Sequence, residues 1–308
     1  MGTAFILFCV FLFLGWLCFL YAVRLHRFFR IVRAMRPVPP KRRQPSAAFG
    51  ESAAANGECR PVEFTVRKRH SAFKSVLLKR KKHRHEEMLT LRGEWFNPNG
   101  SRLLIFVHEE GRSRSQVREK CRPFIEGGWA VLAFDQRAHG ASDGKRFTLG
   151  YCESEDLARI AGEVMSEKKY RSVGFYGVGC GAAAALLALD RSPKIDFIVA
   201  EDVWPTYTEL IQFRIRRSRF LRRIDSLILE FLLRNCEKYL GLPLRDLCPL
   251  YAAMNHPETA LYLVVGGKIP SILMKRIAEN RQPESVTALL LSAEEAEEAL
   301  KAVVKKGK

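Results

Sequence analysis

From Arg102 to the C-terminus, short apolar runs alternate with helix-patterned segments, and this alternation restricts the fold more than any other feature. The runs are RLLIFVH (102–108), AVLAFD (130–135), SVGFYG (172–177), DFIVAED (196–202), ALYLVVGG (260–267) and SVTALLLS (285–292). Strands this uniformly apolar need cover on both faces, and parallel neighbours joined through helices supply it. Helical spacing falls between them, near Gln116–Glu126, Glu153–Lys168, 181–190, 270–280 and 293–306. The pattern predicts an α/β class with a doubly wound, mostly parallel sheet. Two alternating stretches upstream, VEFTVRKRH (62–70) and EEMLTLRGEWFNP (86–98), predict strands on an antiparallel edge. Between Trp204 and Pro257 the alternation stops, and apolar and Arg positions recur at helical spacing, which predicts a helical cap over 204–257.

Ahead of this domain, residues 3–23 carry no charged side chain and are long enough to cross a hydrocarbon core of roughly 30 Å as a helix. No Lys or Arg precedes the run, unlike a cleavable signal peptide, so 1–23 is expected to be a retained transmembrane helix. Arg24, Arg27, Arg30, Arg33, Arg36, Lys41, Arg42 and Arg43 follow, and the positive-inside rule keeps that flank in the cytoplasm. The expected arrangement is a single-pass membrane protein with a cytoplasmic C-terminal domain. Residues 24–60 read as a basic juxtamembrane segment running into a Pro-, Ala- and Ser-rich linker, leaving 61–308 as the folded domain. Met1-Gly2 does not suggest myristoylation, because the sixth residue is Ile6.

The net charge of +18 is unevenly placed: residues 24–85 hold 18 Lys and Arg against three Glu, a local excess of +15. Basic residues beside a span gain about 1 kcal/mol each near an anionic leaflet, so residues 24–85 are expected to contact anionic lipid. Nucleic acid is disfavoured as a partner, because the run Lys79–His85 lacks interleaved aromatics and belongs to no recognisable module. The eight cysteines show neither CxxC nor His-paired spacing, so reduced thiols and no metal site are expected. No Gly-rich phosphate motif stands out, and no cofactor is expected.

Chemistry concentrates in three motifs. Asp135-Gln136-Arg137-Ala138-His139-Gly140-Ala141-Ser142 follows a strand, as does Gly177-Val178-Gly179-Cys180-Gly181, and Ile105-Phe106-Val107-His108-Glu109-Glu110-Gly111 closes the first apolar run. Together they resemble the α/β-hydrolase superfamily, especially bacterial serine hydrolases of the serine-aminopeptidase and monoacylglycerol-lipase-like kind, over about two thirds of the chain. The Asp135–Ser142 motif resembles the family's D-x-R-x-H-G-x-S loop, which braces the site, so Asp135, Arg137, His139 and Ser142 take structural roles under the resemblance. The Gly177–Gly181 motif resembles the nucleophile elbow G-x-S-x-G, with Gly177 and Gly181 in the glycine positions and Gly179 where serine belongs. Glycine has no side chain to attack a carbonyl. The Ile105–Gly111 motif resembles the oxyanion loop, with Glu109 in place of its glycine and Glu110 following, and carboxylates there oppose a developing oxyanion.

The resemblance also implies an acid after the strand Leu261–Val265 and a base after the last strand, in the order Ser, Asp, His. The chain instead reads Gly266-Gly267-Lys268-Ile269-Pro270 and Ser292-Ala293-Glu294, and its last histidine, His256, lies before the penultimate strand. A triad needs all three roles in contact. The leading expectation is therefore a membrane-anchored pseudohydrolase that binds a small ligand or a protein. One alternative retains ester or thioester hydrolysis through Cys180, whose thiol at a helix N-terminus could be acidified. A second is a membrane-surface or lipid-binding role for the basic segments, including the cap around Arg214–Arg223.

Overall fold

The structure, a computed structural model, describes residues 59–67, 88–216, 247–267, 271–279 and 288–306, with isolated positions between 15 and 23 and between 230 and 237. The expected transmembrane helix 1–23, the juxtamembrane segment and linker up to residue 58, and the centre of the cap lie essentially outside these residues. No helix among the described residues is long and apolar enough to cross a membrane.

Eight strands form one sheet in the order β1-β2-β4-β3-β5-β6-β7-β8. They are β1 Cys59–Arg67, β2 Met88–Phe96, β3 Leu103–Val107, β4 Ala130–Phe134, β5 Val173–Val178, β6 Phe197–Glu201, β7 Ala260–Val264 and β8 Ala288–Leu291. β1 and β2 pair antiparallel with each other, and β2 is antiparallel to β4. Every other pairing is parallel. Residue pattern explains the division: β3, β4, β5 and β6 are buried at every position, whereas β2 alternates along much of its length.

The helices are α1 Val117–Lys120, α2 Arg122–Glu126, α3 Tyr151–Glu167, α4 Cys180–Ala188, α5 Tyr207–Arg216, α6 Pro249–Asn255, α7 Ser271–Glu279 and α8 Ala293–Lys306. One sheet face packs under α3–α7, through residues such as Leu157, Ala183, Leu210, Ala252 and Ile277. The opposite face packs under α1, α2 and α8, through Val117, Phe124 and Leu300. The sheet is thus doubly wound.

The helix predicted near Gln116–Glu126 is two short helices preceded by a 3-10 turn at Arg114–Gln116. Pro123 lacks the N–H a continuous helix would need and sits in the first turn of α2, where its absence costs nothing. The cap insertion leaves and rejoins the domain at one place. The Tyr207 N–H donates to the Leu247 carbonyl (2.9 Å) and the Leu250 N–H to the Pro205 carbonyl (3.0 Å).

Candidate functional site

The loops at the carboxyl ends of β3, β4, β5 and β6 converge, which is where open α/β sheets place their sites. β5 ends in a sharp turn whose central residue, Gly179, has φ 56° and ψ −114° and forms the N-cap of α4. A non-glycine residue there would be strained. A Cβ on Gly181 would overlap the Val107 carbonyl oxygen, and one on Gly177 would overlap the backbone of Ala182. The two flanking glycines therefore let strand, turn and helix approach as an elbow requires.

Above the elbow stand carboxylates. A Cβ on Gly179 would lie 3.2 Å from Glu109 Cγ and 3.7 Å from its Oε1, so the Glu109 side chain lies over the position a nucleophile would project from. The backbone N–H of Glu109 donates to Gln116 Oε1 (3.3 Å) rather than facing the elbow unengaged. Glu110 Oε2 accepts from Arg214 on α5 at 2.5 Å and from the Cys180 thiol at 3.7 Å. Cys180 is buried, and burial followed by the Glu110 charge pushes its pKa well above the ordinary thiol value, against a smaller opposing effect of Arg214. Arg214 is likewise partly buried; that desolvation is outweighed by the negative charge around it, and its pKa is raised.

The two histidines of the region are committed on both ring nitrogens. His108 Nε2 accepts the Gln136 N–H (2.9 Å), which leaves Nδ1 to donate to the Glu109 carbonyl (2.8 Å). His139 Nε2 accepts the Gly111 N–H (3.0 Å), and its Nδ1 donates to the Arg137 carbonyl (3.0 Å). These tautomers are assigned from the hydrogen-bond network. The rings meet edge to face at 5.1 Å, and His139 meets Phe147 in the same way at 4.7 Å. Complete burial, then the neighbouring His139, lowers the pKa of His108 to about 4, so it is neutral at physiological pH.

Asp135, Ser142 and Arg137 of the same loop are likewise bonded, whereas Gln136 Oε1 is buried without a hydrogen-bond partner among the described residues. Asp135 accepts the Arg114 backbone N–H (2.8 Å), the Ala141 N–H (2.9 Å) and the Arg114 guanidinium. Ser142 Oγ donates to the Asp135 carbonyl (2.5 Å) and accepts the Arg92 N–H (2.8 Å), stapling the loop to β2. Arg137 grips Asp156 of α3 through Nε (2.7 Å) and Nη2 (2.6 Å). Burial alone would lower the Arg137 pKa, but the bonds and charge of Asp156 outweigh it and hold the guanidinium's pKa above its usual value.

β7 ends at Val264 and α7 begins at Ser271, and the Gly266 N–H donates to Asp202 Oδ1 (3.0 Å). Asp202, which follows β6 with φ 51° and is buried, is a carboxylate at the site's edge that sequence reading did not single out. After β8, Ser292 starts α8 at once: its N–H donates to Glu295 Oε2 (2.8 Å) and its Oγ accepts the Glu295 N–H (3.3 Å). This capping box occupies the stretch where a base-bearing loop would sit. His256 lies elsewhere, between Asp190 Oδ1 (2.8 Å) and Glu258 Oε1 (3.1 Å). Among the described residues no group of three His, Cys, Asp or Glu side chains could hold a metal ion, and Cys59, Cys121, Cys152, Cys180 and Cys248 are free.

No protein-family model matches the chain. An uncharacterized protein of Bacillus subtilis (strain 168), YqkD, is 32% identical over 96 residues, which cover 30% of this chain. The match spans about a third of that relative's length, 32%. Among solved structures, the Pyrococcus furiosus esterase Pf2001 superposes with a TM-score of 0.57 at 19% identity, covering 88% of this chain and 97% of its own. The alpha/beta hydrolase GrgF from Penicillium sp. sh18 superposes with a TM-score of 0.51 at 16% identity, covering 81% of this chain and 96% of its own.

Proposed function

We propose that this chain, which has the α/β-hydrolase fold, is a membrane-anchored pseudohydrolase that acts by binding a ligand or a protein rather than by acyl transfer. The carrying observation is Gly179: the elbow makes its sharp turn, yet the residue at its apex has no side chain and the carboxylate of Glu109 lies over it. The surroundings support the same reading. An attacking oxygen would need a base, and both nearby histidines have both ring nitrogens engaged, each bonding its own loop and the facing one. A forming oxyanion would face Glu109 and Glu110, which repel it.

Hydrolysis through Cys180 is less well supported. Its thiol is buried, its pKa is raised rather than lowered, and the group within reach of its sulfur is a carboxylate. Membrane anchoring rests on the charge-free stretch 3–23 and the arginines that follow it.

The test is turnover of short- and medium-chain p-nitrophenyl esters by the purified full chain beside its Cys180→Ala and Gly179→Ser variants. The expected result is no hydrolysis above buffer in any of the three. Activity in the wild type that Cys180→Ala abolishes would sink the reading. Partitioning of the full chain into the membrane fraction, resistant to carbonate washing and lost on deleting residues 1–23, checks the anchor.

A further inference from the structure

We propose that the carboxyl edge of the sheet, through Arg112, Lys145 and Arg146, docks on the anionic lipid surface of the membrane to which the chain is tethered, with the elbow turned towards the bilayer. The inference rests on the anchor proposed above. Arg112 follows β3, and Lys145 and Arg146 follow β4, which is its neighbour in the sheet. The two loops are tied together, since the Gly111 N–H donates to His139 Nε2 (3.0 Å) and the Ala138 N–H to the Asp143 carbonyl (2.9 Å). All three basic residues are exposed, and none of their side chains makes an ion pair or hydrogen bond among the described residues. The acids at the ends of β3, β4 and β6 are turned inward or paired. Asp135 and Asp202 are buried, Glu109 lies over Gly179, and Glu110, Asp143 and Glu201 pair with Arg214, Arg92 and Lys120. What these loops show to solvent is therefore cationic. The opposite edge is mixed, with Lys169, Arg171, Arg191 and Lys194 exposed beside Asp190 and Glu258.

The connections that start and end at this edge carry charge of the same sign. Residues 68–87 enter β2 beside Asp143, whose N–H donates to the Thr90 carbonyl (2.9 Å) while its Oδ2 accepts the Thr90 N–H (3.1 Å), and they hold eight Lys and Arg against two Glu. The cap insertion leaves after β6, and its stretch 216–223 holds five Arg and no acid. Each basic residue brought to an anionic leaflet favours the docked state by about fivefold. The tether permits this orientation. β1 starts at the amino edge, because Cys59 pairs with Phe96 and Phe96 with Val131 near the start of β4. A flexible segment as long as residues 24–58 spans on the order of 30 Å, about the length of a nine-residue strand, so the domain can turn its far edge to the bilayer. The bilayer is also the anionic surface that residues 3–23 keep beside the domain, which favours lipid over nucleic acid.

The test is the acetylation rate of Lys145 by uncharged N-hydroxysuccinimidyl acetate in the full chain held in lipid nanodiscs, read by peptide mass spectrometry. Lys169 and Lys194, exposed at the opposite edge, serve as internal references. In discs containing about 30% phosphatidylglycerol, Lys145 should react about fivefold or more slowly than in pure phosphatidylcholine discs, with the references unchanged. The difference should vanish at about 0.5 M salt, where screening is effective within a few Å. The double variant Arg112→Gln/Arg146→Gln, which removes charge from two exposed, unpaired positions, should restore most of the Lys145 rate. A Lys145 rate equal in the two lipids, or a slowing shared by Lys169 and Lys194, overturns the docking. So does a slowing produced by duplex DNA in phosphatidylcholine discs and not by phosphatidylglycerol, which would assign the face to nucleic acid. The anchor fails separately. Membrane association that resists carbonate, with Lys145 unslowed, keeps the anchor and overturns the docking, whereas extraction by carbonate with Lys145 slowed overturns the anchor and keeps the docking.

Discussion

The Asp135–Asp143 loop and the elbow beneath Glu109 and Glu110 share one edge of the sheet but differ in what their polar groups do. In the loop, Asp135, Arg137, His139 and Ser142 each make two or more internal bonds, and the ring nitrogens, guanidinium and carboxylates are committed to holding β2, β4 and α3 together. At the elbow the backbone turns sharply, with Gly179 at positive φ and Gly181 against the Val107 carbonyl, and the side chains beside it are carboxylates and a buried thiol. Scaffold and chemistry are therefore separable here. The loop's polar groups tie strands and α3 together, whereas the elbow's glycines let α4 start where β5 ends.

That contrast breaks most sharply at Arg137. Removing one partner of a buried bidentate pair typically costs about 3–5 kcal/mol, so Arg137→Met should lower the urea midpoint far more than any substitution at the elbow. Equal losses for Arg137→Met and Cys180→Ala would dissolve the distinction. Next comes His108. Its folded pKa of about 4 lies below the ordinary 6.5, so the unfolded chain binds the extra proton first and stability falls as pH drops from about 6.5 towards 4. The loss is about 3 kcal/mol when complete. His108→Asn should flatten this acid limb in a pH series of urea midpoints, and an unaltered limb would contradict the neutral, braced histidine.

Gly181→Ala probes the part of the elbow that is steric rather than chemical. Its new methyl would overlap the Val107 carbonyl oxygen, and overpacking of this kind costs about 1–3 kcal/mol. Thermal melts should show that loss with ester turnover unchanged from wild type. No loss at all would mean that β3 and α4 approach less closely than the elbow geometry requires.

What the sequence carried plainly was the sheet. β3 to β6 are read as apolar runs because every residue in them is buried, and β1 and β2 as alternating ones because they form the antiparallel edge. The elbow was equally legible, since two glycines in fixed positions have a steric cause. Less visible was the split of the first crossover helix at Cys121, although Pro123 marks it. The Ser292–Glu295 capping box is a local S-x-x-E pattern that explains why α8 follows β8 without a loop. The Glu110–Arg214 pair had no local signal, because its partners are brought together only by the docking of α5. Asp202 escaped for another reason: its positive φ and its bond to Gly266 exist only once β6 and β7 lie side by side.

The smallest expected effect concerns the third histidine, which sharpens the comparison by reversing its sign. His256 is partly exposed and lies between Asp190 and Glu258; burial opposes its protonation, but the hydrogen bonds and charges of the two carboxylates outweigh burial and raise its pKa above 6.5. The folded state then holds the proton more tightly than the unfolded chain. Its contribution is fully present below about pH 6.5 and disappears as pH rises through the folded value. His108 favours folding as pH rises; His256 favours it as pH falls. The melting-temperature difference between wild type and His256→Gln should therefore be greatest near about pH 6 and shrink towards about pH 9, where both side chains are neutral. A difference that grows with pH would place His256 with the buried, neutral histidines and remove the carboxylate clasp between α6 and the turn after α4.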